Sequence, residues 1–217
     1  MRILVVADEE SRYYWDHFQS GRLDDIDLIL SCGDLKAEYL SFLVTVGRAP
    51  LLYVHGNHDV NYSRKPPEGC ICIEDQIVVV GGLRILGLGG CPTYSGGPHQ
   101  YTDREMRRRI RKLRFSLWMH RGVDIVLTHA PVKGHGDGED YAHRGFGAFL
   151  PLLEKYKPKF LLHGHVHTTY GANILRERQY GETRLINAYE RYILDLPEFV
   201  AGRWLDVKEK HWGFTRV

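Results

Sequence analysis

The chain has 217 residues, 43% of them hydrophobic and 26% charged. That length supports a substantial core, and that balance excludes an intrinsically disordered chain. A net charge of +2 is too mild to argue for nucleic acid, whereas the 12 histidines stand out, because neutral imidazole is the commonest metal ligand near neutral pH.

The first apolar run, Ile3–Ala7, reads as a strand and stops at Asp8-Glu9-Glu10. It is too short for a signal-peptide core, and no run of about 18 uncharged apolar residues occurs later, so a cytoplasmic protein without a transmembrane segment is expected. A helix is predicted near Tyr14–Gln19, a strand at Asp27–Cys32, a helix over Lys36–Val46 and a strand at Leu51–His55. The strands are unbroken Leu, Ile and Val runs, as for strands buried on both faces, and the β-α-β-α-β order implies a parallel sheet with right-handed crossovers. Pro66-Pro67-Glu68-Gly69 marks a loop, and Ile77–Val80, Gly81-Gly82 and Leu83–Leu88 read as a hairpin. After a Gly- and Pro-rich loop over Gly89–Pro98, the spacing predicts a helix over Asp103–His120, with Met106, Ile110, Leu113 and Leu117 on one face. A strand at Asp124–Thr128, a polar loop over 131–144, a helix over Phe146–Tyr156 and a strand at Lys159–His163 follow. Tyr170–Leu175, Thr183–Asn187 and Arg191–Leu196 read as antiparallel strands. Neither repeat nor linker divides the chain, so one domain over 1–217 with two packed sheets is expected. Cys32, Cys70, Cys72 and Cys91 form no CxxC pair and are expected to be reduced thiols.

The chemistry-bearing residues all follow predicted strands. Asp8 follows the first, Gly33-Asp34 the second and Gly56-Asn57-His58-Asp59 the third, while His129 ends the strand DIVLTH and Gly164-His165-Val166-His167 follows KFLLH. Ligands bind at the carboxyl ends of strands in such sheets, so these loops can converge. Any one of them alone is a common turn; five in this order are a strong signal of a metal site.

In these motifs the chain resembles the calcineurin-like metallophosphoesterase superfamily, whose pattern runs D-x-H, G-D, G-N-H-[DE], H and G-H-x-H. The match spans residues 8 to 167 and is complete in four of the five motifs. The resemblance implies an α/β fold, a four-layer α-β-β-α sandwich of two mixed sheets. It implies a phosphoesterase that hydrolyses a phosphodiester or phosphomonoester with a hydroxide between two divalent cations (Mn, Fe, Zn or Mg) about 3.5–4 Å apart. Asp34 would bridge the two; Asp8, residue 10 and His167 would complete the first position, and Asn57, His129 and His165 the second. His58 would face the leaving group, as general acid or as a donor to the phosphoryl oxygens, with Asp59 orienting its ring and raising its pKa.

Glu10 departs from the pattern, standing where the family has histidine. Three readings are open: a carboxylate ligand that biases the site towards harder ions, a residue outside the ligand set paired with a cation such as Arg12, or a decaying site on a binding scaffold. The first is preferred, and the third is disfavoured because every other ligand is present. Substrate contacts are expected from Arg144, His135, His143 and Tyr94, in loops beside the site; Arg144 could grip phosphate in two bonds. Arg104, Arg107, Arg108, Arg109, Arg111, Lys112 and Arg114 crowd one helix. They form either a basic rim for an anionic substrate, lipid or nucleic acid, or a solvated face; the apolar stripe opposite already accounts for packing, so the second is preferred. The activity expected is hydrolysis of a small-molecule or nucleotide phosphate ester, the alternatives being a catalytically weak scaffold of the same fold and a nuclease.

Overall fold

The computed structural model describes residues 1–167 and 175–196. Its strands and helices run, in chain order, β1 (Arg2–Ala7), β2 (Leu28–Ser31), α1 (Ala37–Gly47), β3 (Leu51–Tyr53), β4 (Ile71–Cys72), β5 (Ile77–Val80), β6 (Leu83–Leu88), β7 (Cys91–Pro92), β8 (Gln100–Tyr101), α2 (Asp103–Lys112), α3 (Arg114–Met119), β9 (Ile125–Thr128), α4 (Phe149–Tyr156), β10 (Phe160–His163), β11 (Glu177–Tyr180), β12 (Thr183–Asn187) and β13 (Glu190–Asp195).

One sheet has the order β13-β1-β2-β3-β4 and the other β11-β12-β10-β9-β6-β5. Each has a parallel interior; antiparallel pairing occurs at one margin of the first, β13 against β1, and at both margins of the second, β11 against β12 and β5 against β6. The sheets face each other across a core in which Ile3, Val5, Leu30 and Val54 meet Ile85, Leu127, Leu162 and Ile186. On the outer face of the first sheet, Leu4, Val6 and Ile29 pack with Tyr39, Leu40 and Leu43 of α1. On the outer face of the second, Val126 and Leu161 pack with Met106, Leu117 and Leu152 of the other helices. This is the four-layer α-β-β-α sandwich, and it explains the unbroken apolar runs: alternate residues of β1 enter two different cores.

Several expected elements differ. Residues 14–17 form turns and 18–19 irregular backbone, not a helix; Trp15 sits edge-on to Tyr39 and Phe42, and aromatic packing holds the segment in place of a helical ladder. The 103–120 helix breaks at Leu113, whose amide bonds back three residues to Ile110 and whose backbone (φ −83, ψ −1) leaves the α geometry. The stripe of Met106, Leu113 and Leu117 is buried as predicted, but Arg109 turns inward. β11 was not anticipated: Glu-Arg-Gln-Tyr carries no apolar pattern and gains its ladder from β12 at a sheet edge. The three closing strands do not form one antiparallel set. β12 runs parallel to β10, and β13 crosses to the first sheet; residues 170–174 lie outside the described residues.

An ion network around the buried Arg109 ties the second sheet to the loop after β3. Arg109 donates to Asp75 Oδ1 at 2.8 Å, to the Gly89 carbonyl at 2.8 Å and, in a short contact, to Glu74 Oε1. Glu74 Oε2 in turn accepts from the His55 amide at 3.1 Å, one residue before Gly56. Burial alone would raise the Glu74 pKa, but His55 and Arg109 hold it down at about 2. A carboxylate with a depressed pKa stabilises the fold above its unfolded value near 4.5 and loses that contribution as pH falls towards 2. Arg109→Ala, which strands the partly buried Glu74 carboxylate, is expected to cost about 1–3 kcal/mol by urea denaturation at neutral pH, and less at the acid end of that window.

Candidate metal centre

Five strand ends deliver the site. Asp8 follows β1, Asp34 follows β2, and Asn57, His58 and Asp59 follow β3; His129 follows β9, and His165 and His167 follow β10. Asp8, Asp34 and His165 have left-handed backbones with φ of 65°, 58° and 68°. Such conformations are uncommon outside glycine, and three of them in one place mark a site that the surrounding structure holds under constraint.

The carboxylates are packed against glycines. A Cβ on Gly56 would lie 2.0 Å from Asp34 Oδ1, and one on Gly164 would lie 2.4 Å from Asp8 Oδ2. Each motif glycine therefore leaves room for the acid of another motif. Asp8 accepts from the His165 amide at 2.9 and 3.0 Å, and Asp34 Oδ1 accepts from the His58 amide at 2.7 Å.

The buried His129 is the centre of the arrangement. Its Nε2 lies 3.0 Å from Asn57 Oδ1, 3.1 Å from His165 Nδ1 and 3.3 Å from Asp34 Oδ2. The opposite end of each group is already bound. His129 Nδ1 is 2.9 Å from the Cys32 carbonyl, His165 Nε2 is 2.8 Å from the Ala142 carbonyl, and Asn57 Nδ2 donates to Tyr94 Oη at 3.2 Å. A ring nitrogen facing a carbonyl must carry the proton, so the inward atoms of both histidines are lone pairs. Four acceptors then face one another, and only a positive species between them relieves the repulsion. Without a metal that species is a proton on His129: burial disfavours it, but Asp34 pulls the pKa up to about 9. Burial raises the Asp34 carboxyl, and His129 overrides this to leave it at about 2. Burial next to His129 pushes His165 down to about 3, and burial pushes Asp8 up to about 7. The donor set of one carboxylate, one amide oxygen and two imidazoles fits a divalent transition ion.

A cleft of about 270 Å³ opens over these residues, lined by Asp8, Asp34, Asn57, His58, Tyr94, Ala142, His143, His165 and His167. The His167 ring leans on Tyr189 at 4.7 Å. Glu10 is not in this cleft. It lines an adjoining one of about 420 Å³ that shares Asp34 and His58, and its carboxylate accepts from the Lys36 amide at 3.1 Å and from Lys36 Nζ at 3.3 Å. Asp59 does not turn to the His58 ring; its Oδ2 accepts from the amides of Gly56 and Asp34 at 2.8 and 2.9 Å. His58 is 75% exposed, with Nε2 4.0 Å from Asp34 Oδ2.

Of the expected substrate residues, Tyr94 and His143 line the cleft, the latter with Nδ1 2.9 Å from the Asp140 carboxylate. Arg144 lies over the Tyr141 ring and His135 against Tyr180, and neither lines either cleft. The carbonyls of Cys32 and Ala142 could not be anticipated, since no side chain announces them. Lys36 was also missed as the partner of Glu10, although its place two residues after Asp34 was a usable signal.

The calcineurin-like phosphoesterase family model matches residues 1–169. A UPF0046 protein of Caenorhabditis elegans is 25% identical over 209 aligned positions, taking in 77% of this chain and 69% of the relative. A second is 37% identical over 140 positions and takes in 63% of this chain, which spans only 34% of that longer relative. The crystal structure of TT1561 of Thermus thermophilus superposes with a TM-score of 0.63 at 16% identity, over 92% of this chain and 96% of that one, a likeness of fold. Gly56→Ala and Gly164→Ala are each expected to lower bound metal about 10–100-fold in affinity by displacing Asp34 or Asp8; metal titration beside a circular-dichroism control for folding measures it.

Proposed function

The chain belongs to the calcineurin-like phosphoesterase family, and from that premise we propose that it is a metal-dependent hydrolase of phosphate esters, a phosphodiester being favoured over a monoester. The observation that carries this reading is the set of acceptors closed around His129 Nε2. Asp34, Asn57, His129 and His165 would hold one divalent cation, and Asp8 and His167, with Asp34 shared, a second. When bound, the cations supply Lewis acidity towards the phosphoryl oxygens and an activated water for attack at phosphorus.

The chain's own groups set up the rest. Asp34 stays ionised at neutral pH. Asp59 pins the Asp34 and Gly56 amides and so fixes the Asp34 carboxylate relative to Asn57. His58, exposed at the mouth shared by the two clefts, is placed to give a proton to the leaving oxygen. Tyr94 holds the Asn57 amide with its oxygen inward. Lys36 holds Glu10 in the adjoining cleft, whose lining includes neither Asp8 nor His167, so the two metal positions would be unequal, the one around His129 tight and the other weak.

Turnover of bis-p-nitrophenyl phosphate with added Mn is expected, and Asp34→Asn should reduce it at least about 100-fold. If the purified protein retained no metal and turned over no generic phosphate ester, the scaffold reading would replace the enzyme. Elemental analysis after dialysis tests the inequality separately. Glu10→Gln should leave metal content as it is, whereas Glu10→His should raise occupancy of the weaker position; loss of a metal in Glu10→Gln would restore Glu10 to the ligand set.

A further inference from the structure

The α2–α3 face of the second sheet presents cations and large apolar groups together. Arg104, Arg108 and Arg111 are exposed along α2 at helical spacing, followed by Lys112 and Arg114. None of the five has an ion-pair partner among the described residues, whereas Arg107 is paired with Asp103 and Arg109 is spent on Glu74 and Asp75. The same outward stripe runs on into α3, where Phe115 is 67% exposed, Trp118 72% and Met119 44%. Beside it, between α2 and α4, lies a groove of about 540 Å³ with Ile110, Leu117 and Leu152 in its floor and Arg104, Arg111 and Lys155 at its rim. The packing of the fold accounts for Met106, Leu113 and Leu117, which point inward; it leaves the outward rings and cations unexplained.

From this we propose that the α2–α3 face docks on an anionic lipid surface, with Arg104, Arg108, Arg111 and Arg114 against the headgroups and Phe115, Trp118 and Met119 inserted at the acyl boundary. Charge complementarity selects an anionic partner, since the only carboxylates on α2, Asp103 and Glu105, are engaged by Arg107 and Thr102. The geometry of the rings then separates lipid from nucleic acid. Phe115 and Trp118 have centroids 5.8 Å apart and planes at 34°, so they lean on each other as one apolar knob. A base stacks on an open, flat ring face, which such a knob does not provide. Insertion at a membrane interface needs only a compact apolar projection flanked by cations. No helix among the described residues is long and apolar enough to cross a membrane, so the contact would be peripheral. This docking requires nothing of the metal centre.

Vesicle flotation with the full chain tests it. The protein should float with phosphatidylcholine vesicles containing about 30% phosphatidylserine, stay behind with phosphatidylcholine alone, and be released as salt rises from about 0.1 M to about 0.5 M. Arg108→Glu with Arg111→Glu should lower the partition coefficient at least about tenfold. Phe115→Ser with Trp118→Ser should lower it while leaving the salt dependence. All four side chains are exposed, so unchanged thermal melting should confirm that each variant is folded. Equal partition onto neutral and anionic vesicles, or none onto either, would overturn the proposal. So would salt-sensitive capture of single-stranded oligonucleotide without vesicle binding, or self-association in solution that Trp118→Ser abolishes.

Discussion

Four electron-rich atoms face one another around His129 Nε2, and the rest of the site is arranged to keep them there. Left alone, two imidazole lone pairs, an amide oxygen and a carboxylate oxygen would rotate apart. They cannot, because the neutral groups are gripped from behind: His129 by the Cys32 carbonyl, His165 by that of Ala142, and Asn57 by the Tyr94 hydroxyl. The repulsion is met electrostatically, by a proton held on His129 well above its usual range or by a cation in its place. The left-handed backbones at Asp8, Asp34 and His165 have the same origin, since they turn side chains at strand ends into a space that an extended continuation would miss.

That demand reaches into the fold. The groups come from both sheets, so the two sheets must be locked in relative position for the acceptors to converge. The shared apolar core does most of this, and the Arg109–Glu74–His55 network adds a polar tie from α2 to the loop that carries Asn57. Inverting Arg109 into the interior while its neighbours remain outside is what separates one helix into a structural side and a cationic, aromatic side.

Glu10 shows how a substitution in a metal motif can be absorbed. The carboxylate sits at the N-terminus of α1, on the amide and the ammonium of Lys36. There it meets the unsatisfied end of a helix that has no side-chain cap of its own. The Glu10 charge is compensated there by Lys36, and the acceptors around His129 close on one another without it.

The motifs, their order and their position after apolar strands were legible in the sequence, because strands buried on both faces leave continuous apolar runs and the loops after them must carry the chemistry. That Asp8, Asp34, Asn57, His129 and His165 lie at strand ends was readable for that reason. Where the signal was weaker, the reading failed for physical causes. Residues 14–19 looked helical but are held by aromatic packing; the polar β11 had no pattern to detect; and β13 joins the first sheet, which no local rule dictates. The pairing of Glu10 with Lys36 in place of Arg12, the carboxylate of Asp59 on backbone amides in place of the His58 ring, and the position of Arg144 and His135 outside the clefts were all decided by tertiary structure. The sequence by itself determined which donor atoms exist and near which strand ends they lie, because residue type and periodicity are local. Only the packing of two sheets decided which of those atoms face each other, because that depends on contacts as remote in the chain as that of Asp8 with His165, 157 positions apart.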